Sequence, residues 1–278
     1  MTEFTRSVDG TMIAYDRVGN GPGVVFIGGA FQHRAFDPTT TTLAHRLAAA
    51  GFTTVNYDRR GRGESTDTQP YAVEREIEDL AVMLDAAGGS AAVYGSSSGS
   101  ALCLHGAAAG LPITRIALWE PPFALEGEGD NGEFLSELES LIAAGDRVGT
   151  VEYFMRGLPP ELLEESEASP AWDLMLQVAP TLAYDTALLH RNQNEPWRTQ
   201  WASVTMPVLV MLGEVRRRQS SGGPRKRWWP PSPMLAAGQS PESTIAGSSM
   251  PCAPSWSRSW RPDAAVQLSP MCVVRQPS

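Results

Sequence analysis

AAVYGSSSG, residues 91–99, is the stretch that decides the fold. Residues 91–94 are small and apolar, of strand type, and Gly95-Ser96-Ser97-Ser98-Gly99 follows at once. The next residues, SALCLHGAAAG, read as a helix. Strand, G-x-S-x-G and helix in that order put a serine on a sharp turn with its hydroxyl lifted clear of a sheet. The serine at the centre is Ser97. The glycines on either side let strand and helix approach closely. The helix N-terminus turns free N–H groups and the positive end of its dipole toward any oxyanion formed there. Alone, GSSSG would be a flexible linker. The flanking strand and helix make it a nucleophile site.

Working outward, residues 23–27 (GVVFI) form a continuous apolar run of the fully buried, parallel-sheet kind, ending at Gly28-Gly29-Ala30. Residues 4–8 and 11–18 flank Asp9-Gly10 and read as a hairpin. Residues 40–50 predict a helix closed by Gly51, and 52–58 a strand that runs into DRRGRGES. Val73, Ile77, Leu80 and Leu84 share one helical face, which Gly88-Gly89 ends. Residues 115–119 form another strand, ending at Glu120-Pro121-Pro122. Residues 207–212 (PVLVML) are the last legible strand. The alternation predicts an α/β fold with a mostly parallel sheet and right-handed crossovers. Ligands in such sheets bind at the carboxyl ends of the strands, where Ala30, Ser97 and Glu120 fall.

The stretch from Glu120 to Met206 far exceeds an ordinary crossover. It carries helical apolar faces and many aromatics, so a helical lid over residues 121–204 is predicted. The core then comprises 1–120, with the elbow, and 205–213. Apolar residues make up 42% of the 278-residue chain, enough for one sizeable core. The three cysteines, Cys103, Cys252 and Cys272, have neither metal spacing nor a disulfide pattern, which fits a reducing cytoplasm. The polar N-terminus, MTEFTRSVDG, does not read as a signal peptide, and no run is long enough to span a membrane.

The net charge of −9 is unevenly spread: residues 1–213 carry −15 and residues 214–278 carry +6. So acidic a body argues against nucleic acid as the partner. Residues 214–278 also hold ten of the 22 prolines and show no helical or strand period, so an irregular, largely disordered tail is expected. A change of reading frame in GC-rich DNA near codon 214 accounts for the abrupt shift, and the nucleotide sequence tests it. Without a following strand, residues 208–212 would be a bare apolar edge, which predicts self-association through it.

The GSSSG elbow, the loop DRRGRGES with its D-x-R-G-x-G-x-S pattern, the strand-loop VVFIGGA and the strand end IALWEPP together resemble the α/β-hydrolase superfamily of lidded serine hydrolases. The resemblance covers about residues 1–213. It implies an α/β-hydrolase sheet and a small-molecule ester, amide or thioester as substrate, cleaved without a cofactor or metal. It implies Ser97 as nucleophile, with the Ser98 and Ala30 N–H groups as the oxyanion hole. Gly28 stands where the family commonly has the His of a His-Gly pair. The acid falls on Glu120, as in relatives with a strand-six acid, or on Glu214 near the strand-seven position. The family's base is a histidine after strand eight. The histidines here are His33, His45, His105 and His190, and none follows residue 190. His105 lies about 12 Å down the elbow helix at 1.5 Å per residue, out of reach of Ser97. His33, just past the oxyanion loop, borders the pocket without a family role as base. The expectation is therefore a serine hydrolase impaired in this form. A non-catalytic small-ligand binder and a partner-binding basic tail are the competing readings.

Overall fold

In the computed structural model, five apolar strands form the parallel centre of the sheet. They are β3 (Gly23–Ile27), β4 (Thr53–Tyr57), β5 (Ala91–Ser96), β6 (Ile113–Trp119) and β7 (Val208–Leu212). β1 (Thr2–Arg6) and β2 (Met12–Val18) add antiparallel strands beside β4, and β8 (Met271–Arg275) lies beyond β7. The order is β1-β2-β4-β3-β5-β6-β7-β8. The structure describes residues 1–123, 132–190, 197–212 and 271–275.

β3 and β4 are almost wholly buried, which explains why their sequences run apolar or β-branched without alternation. The predicted helix at 40–50 begins earlier, as α1 (Pro38–Ala49). Asp37 caps it by accepting the Thr39 and Thr40 N–H groups, and Pro38 suits the first turn, where no N–H is needed. α1 covers one sheet face, over Val24, Phe26, Ala92, Tyr94 and Ala117. The other face holds the larger core. There α2 (Val73–Ala86) and α3 (Ser98–Ala108) bury Leu80, Met83, Leu84, Leu102 and Cys103 against Val25, Val55, Val93 and Ile116.

The segment expected to be one lid divides in two. α4 (Glu133–Ala143), α5 (Arg147–Met155), α6 (Pro160–Glu167) and α7 (Trp172–Val178) form the first part. Val151, Met155 and Met175 from these helices close over Ala30, with Phe31 and Phe36 packed alongside. α8 (Leu182–His190) spans both: Leu182 joins that cluster and Leu188 the main core. The short α9 (Trp197–Gln200) leads back toward β7. No described helix is long and apolar enough to cross a membrane.

The absence of any strand after residue 212, expected from sequence, is corrected here. β8 pairs in parallel with every residue of β7, from Val208↔Met271 to Leu212↔Arg275. The physical reason is the ladder itself. The unpaired N–H and C=O groups of β7 are a template for any extended segment, and MCVVR is a proline-free run with two β-branched residues. Residues 208–212 are therefore paired on both sides, which removes the premise of self-association through that edge. The rest of the expected tail, Glu214 included, lies outside the described residues.

Candidate active site

Among the described residues, only Phe31, Ser97 and Glu120 have positive φ without being glycine, at 63°, 51° and 46°. Ser97 and Glu120 directly follow β5 and β6, and Phe31 lies in the loop four residues past β3; the three strands are neighbours in the sheet. Strained backbone of this kind costs about 1–3 kcal/mol per residue and clusters at functional sites. Its occurrence beyond three neighbouring strands makes this end of the sheet the candidate site without reference to any motif.

The elbow explains its own glycines. A Cβ on Gly95 would lie 2.6 Å from the Gly99 carbonyl oxygen and 2.7 Å from Cys103 Sγ. A Cβ on Gly99 would run into the Ile27 carbonyl oxygen. Any other residue at either position would push α3 off the sheet. The strand hands the chain over at Ser97, whose N–H donates to the Trp119 carbonyl (2.9 Å). Ser97 then serves as the N-cap of α3 with φ 51° and ψ −122°. Its Oγ is buried and has no hydrogen-bond partner among the described residues. Ser98 opens the helix, so its N–H belongs to the first turn, which has no intrahelical acceptor.

The loop after β3 lies directly against the serine. A Cβ on Gly29 would stand 2.8 Å from Ser97 Cβ and 2.7 Å from the Ser96 carbonyl oxygen, so glycine is required there for closeness alone. Gly29 N–H donates to Gln32 Oε1, and Gln32 Nε2 donates to Asp37 Oδ2 at 2.8 Å. Glu120 N–H donates to the Met211 carbonyl, extending the β6–β7 ladder by one residue. Trp119 is in register with Ser96, so Glu120 and Ser97 are neighbours across adjacent strands. Ala30, Ser97, Ser98 and Glu120 are thus brought to one end of the sheet, and Glu214 lies outside the described residues.

The Asp58–Ser65 loop braces this end from below. Asp58 accepts the Arg34 and Glu64 N–H groups at 2.7 and 3.0 Å, and Ser65 Oγ donates to the Asp58 carbonyl at 2.6 Å. Gly63, at φ 53°, leaves room for the Asp58 carboxylate. Three arginines of this loop are buried: Arg59, Arg60 and Arg62. Buried guanidinium groups persist only when paired. Arg60 binds Asp79 through two nitrogens (2.7 and 2.8 Å) and Asp9 (2.9 Å). Arg59 binds Glu76 through two nitrogens (2.6 Å each) and Asp185 (2.6 Å). Arg62 binds Asp185 (2.5 Å), the Gly29 carbonyl (2.6 Å) and Thr181 Oγ1 (2.9 Å). Asp185 Oδ1 also accepts the Ser98 hydroxyl at 2.6 Å. Burial pushes the Asp185 carboxyl up, but the Arg62 and Arg59 charges and the Ser98 hydrogen bond more than offset this, and it titrates below its ordinary 3.8.

Sequence reading missed Arg59, Arg62, Glu76 and Asp185. A usable signal was present. Asp185 is the lone charge in LAYDTALL, and a single acid inside an apolar helix implies a buried partner.

The histidines are scattered. His45 is exposed on α1. His105 Nε2 contacts the Leu188 carbonyl at 3.0 Å, with the ring edge-on to Trp201, a core role. His190 ends α8, and a Cβ on Gly132 would come 3.3 Å from its ring. His33 is buried, stacked on Phe36, and its Nδ1 has no partner among the described residues. Burial holds its imidazole below the ordinary 6.5. No group of three or more His, Cys, Asp or Glu side chains converges as a metal site among the described residues.

Residues 24–266 match the model of an alpha/beta hydrolase family. That span runs beyond residue 213, where the resemblance read from sequence stops. An alpha/beta hydrolase from Sphaerobacter thermophilus is similar in structure at 47% identity and TM-score 0.68, over 76% of this chain and 81% of that one. A hydrolase from Pseudomonas aeruginosa is similar at 24% identity and TM-score 0.59, over 76% and 80%. An esterase from Exiguobacterium antarcticum is similar at 20% identity and TM-score 0.55, over 76% and 80%. The last two bear on the fold alone.

Proposed function

The chain belongs to the alpha/beta hydrolase family, and within it we propose a serine hydrolase that cleaves a small ester, amide or thioester through a Ser97 acyl-enzyme. The observation that carries this reading is the strained backbone shared by Ser97, Phe31 and Glu120, with a buried Ser97 Oγ that has no hydrogen-bond partner among the described residues. Ser97 Oγ attacks the substrate carbonyl carbon, its hydroxyl proton passing to solvent, and a tetrahedral oxyanion forms. The Ala30 and Ser98 N–H groups receive that charge. The C–O, C–N or C–S bond then breaks, and the leaving group takes a proton. Water then attacks the acyl carbon, the bond to Ser97 Oγ breaks, and the serine takes back a proton as the acid product leaves. Glu120 takes the place of the family's acid, which orients a histidine.

No histidine of this chain follows His190. A serine hydroxyl is a weak nucleophile without a neighbouring base, and losing that base in a serine protease lowers kcat about 10⁶-fold. With ordinary enzymes at about 1–10³ s⁻¹, we expect kcat below about 10⁻² s⁻¹ on an activated aryl ester. The missing base is also what favours the second reading, a pocket that binds a small ligand without turnover. A fluorophosphonate probe separates the two. Slow covalent labelling that Ser97→Ala abolishes supports the hydrolase, and labelling that is absent in the parent chain supports the binder.

A further inference from the structure

The D-x-R-G-x-G-x-S pattern accounts for Asp58, Arg60, Gly61, Gly63 and Ser65. Arg59 and Arg62 occupy its unspecified positions, yet they are the two arginines that reach the loop beside Ser97. Arg59 Nη1 donates to the Gly28 carbonyl at 3.2 Å and Arg62 Nη1 to the Gly29 carbonyl at 2.6 Å. Arg60, equally buried, touches neither.

We propose that Arg62 is a positioning residue for the oxyanion site, aiming the Ala30 N–H through the Gly29 carbonyl and anchoring Ser98 through Asp185. In a trans peptide the C=O of one residue and the N–H of the next lie in one plane and point in opposite directions. The Gly28–Gly29 peptide is held at both ends, its C=O by Arg59 and its N–H by Gln32. The Gly29–Ala30 peptide is held at one end only. Its C=O accepts from Arg62 and from the Gln32 N–H (3.1 Å), while the Ala30 N–H has no hydrogen-bond partner among the described residues. Arg62, together with the Gln32 N–H, therefore fixes which way that unused donor points. Its other nitrogens bind Thr181 and Asp185, and Asp185 accepts the Ser98 hydroxyl. One guanidinium thus connects the carriers of both donors. Preorganised donors need no reorganisation when the charge appears, which is the source of their large effect. This inference rests on the serine hydrolase reading above.

Phenylboronic acid tests it without requiring turnover. Boron accepts an oxygen lone pair of Ser97, an O–B bond forms, the hydroxyl proton leaves to solvent, and a tetrahedral anionic boronate occupies the oxyanion site. Removing one oxyanion donor outright costs about 10²–10³-fold in kcat. Misdirecting one by Arg62→Gln should weaken boronate binding about 10–100-fold. Arg60→Gln removes an equally buried arginine of the same loop, so it should lower the melting temperature but leave boronate affinity within about twofold. Arg62→Lys, which keeps the charge but not the fork, should fall between parent and Arg62→Gln. Ser98→Ala keeps every backbone donor and removes only the anchor, and should cost about 3–10-fold. It decides the matter if Arg62→Gln does not fold. Unchanged affinity in Arg62→Gln or, failing its folding, in Ser98→Ala overturns the proposal, as does an equal loss in Arg60→Gln. If the parent binds phenylboronic acid no better than Ser97→Ala does, the serine reading itself falls, and this inference with it.

Discussion

The elbow at 95–99 and the loop at 58–65 follow β5 and β4, the strands on either side of β3, and they achieve rigidity by opposite means. The elbow uses almost no side chain. Gly95 and Gly99 let backbones touch, and the strain sits in the φ of Ser97. The loop uses very large, charged side chains, three arginines buried among carboxylates. The first is short in reach: Gly95 is demanded by Gly99 and Cys103 just along the chain, and Gly99 by Ile27 and Gly28 at the end of the neighbouring strand. The second is long-range: Arg62 meets an aspartate 123 residues away. Steric constraints write themselves into a short pattern, whereas charge pairing across a fold does not.

The largest test of that contrast is to unpair the loop. Arg59→Met leaves Glu76 buried without its bidentate partner, and breaking such a pair costs about 3–5 kcal/mol. Urea denaturation should show it, and Arg59→Met with Glu76→Leu should recover most of the loss. A double variant as unstable as the single would mean that packing, not charge, sets the cost. Next comes the elbow. Gly99→Ala forces a methyl against the Ile27 carbonyl, and overpacking of this kind costs about 1–3 kcal/mol. Ser97→Gly should move the other way, stabilising by about 1 kcal/mol as the positive φ is relieved, while covalent labelling is lost.

The two smallest effects concern pH, and both have the same sign. Asp185 titrates below 3.8 in the fold, so its contribution is fully present above that pH and is lost as pH falls through the lower folded value. Asp185→Asn should flatten the acid limb of the stability curve. His33 is held neutral below 6.5, so its contribution is present above pH 6.5 and is lost as pH falls through its folded value. Urea midpoints of parent and His33→Phe from pH 8 to pH 5 should diverge at the acid end. Parallel profiles would show that the ring keeps its ordinary titration.

The strand and helix sequence through β7 was legible because apolar runs and helical faces follow from burial on a fixed period. That Ala30, Ser97 and Glu120 fall just past strand ends was legible because the strands before them were. The division of 121–204 was not legible. Leu188 and Leu182 are equally apolar, and only packing sends one to the main core and the other to the cluster over Ala30. β8 was not legible either, because five ordinary residues become a strand only when a ladder is waiting beside them.

By itself the sequence determined what backbone sterics and hydrophobic period can encode: the order of elements, the elbow, and the serine at its centre. The tertiary structure alone decided which charges meet. Nothing in DRRGRGES says that Arg59 and Arg62 meet Asp185, and only folding brings them together. A buried charge is stable only with a partner in contact, and contact between residues more than a hundred positions apart exists only after folding.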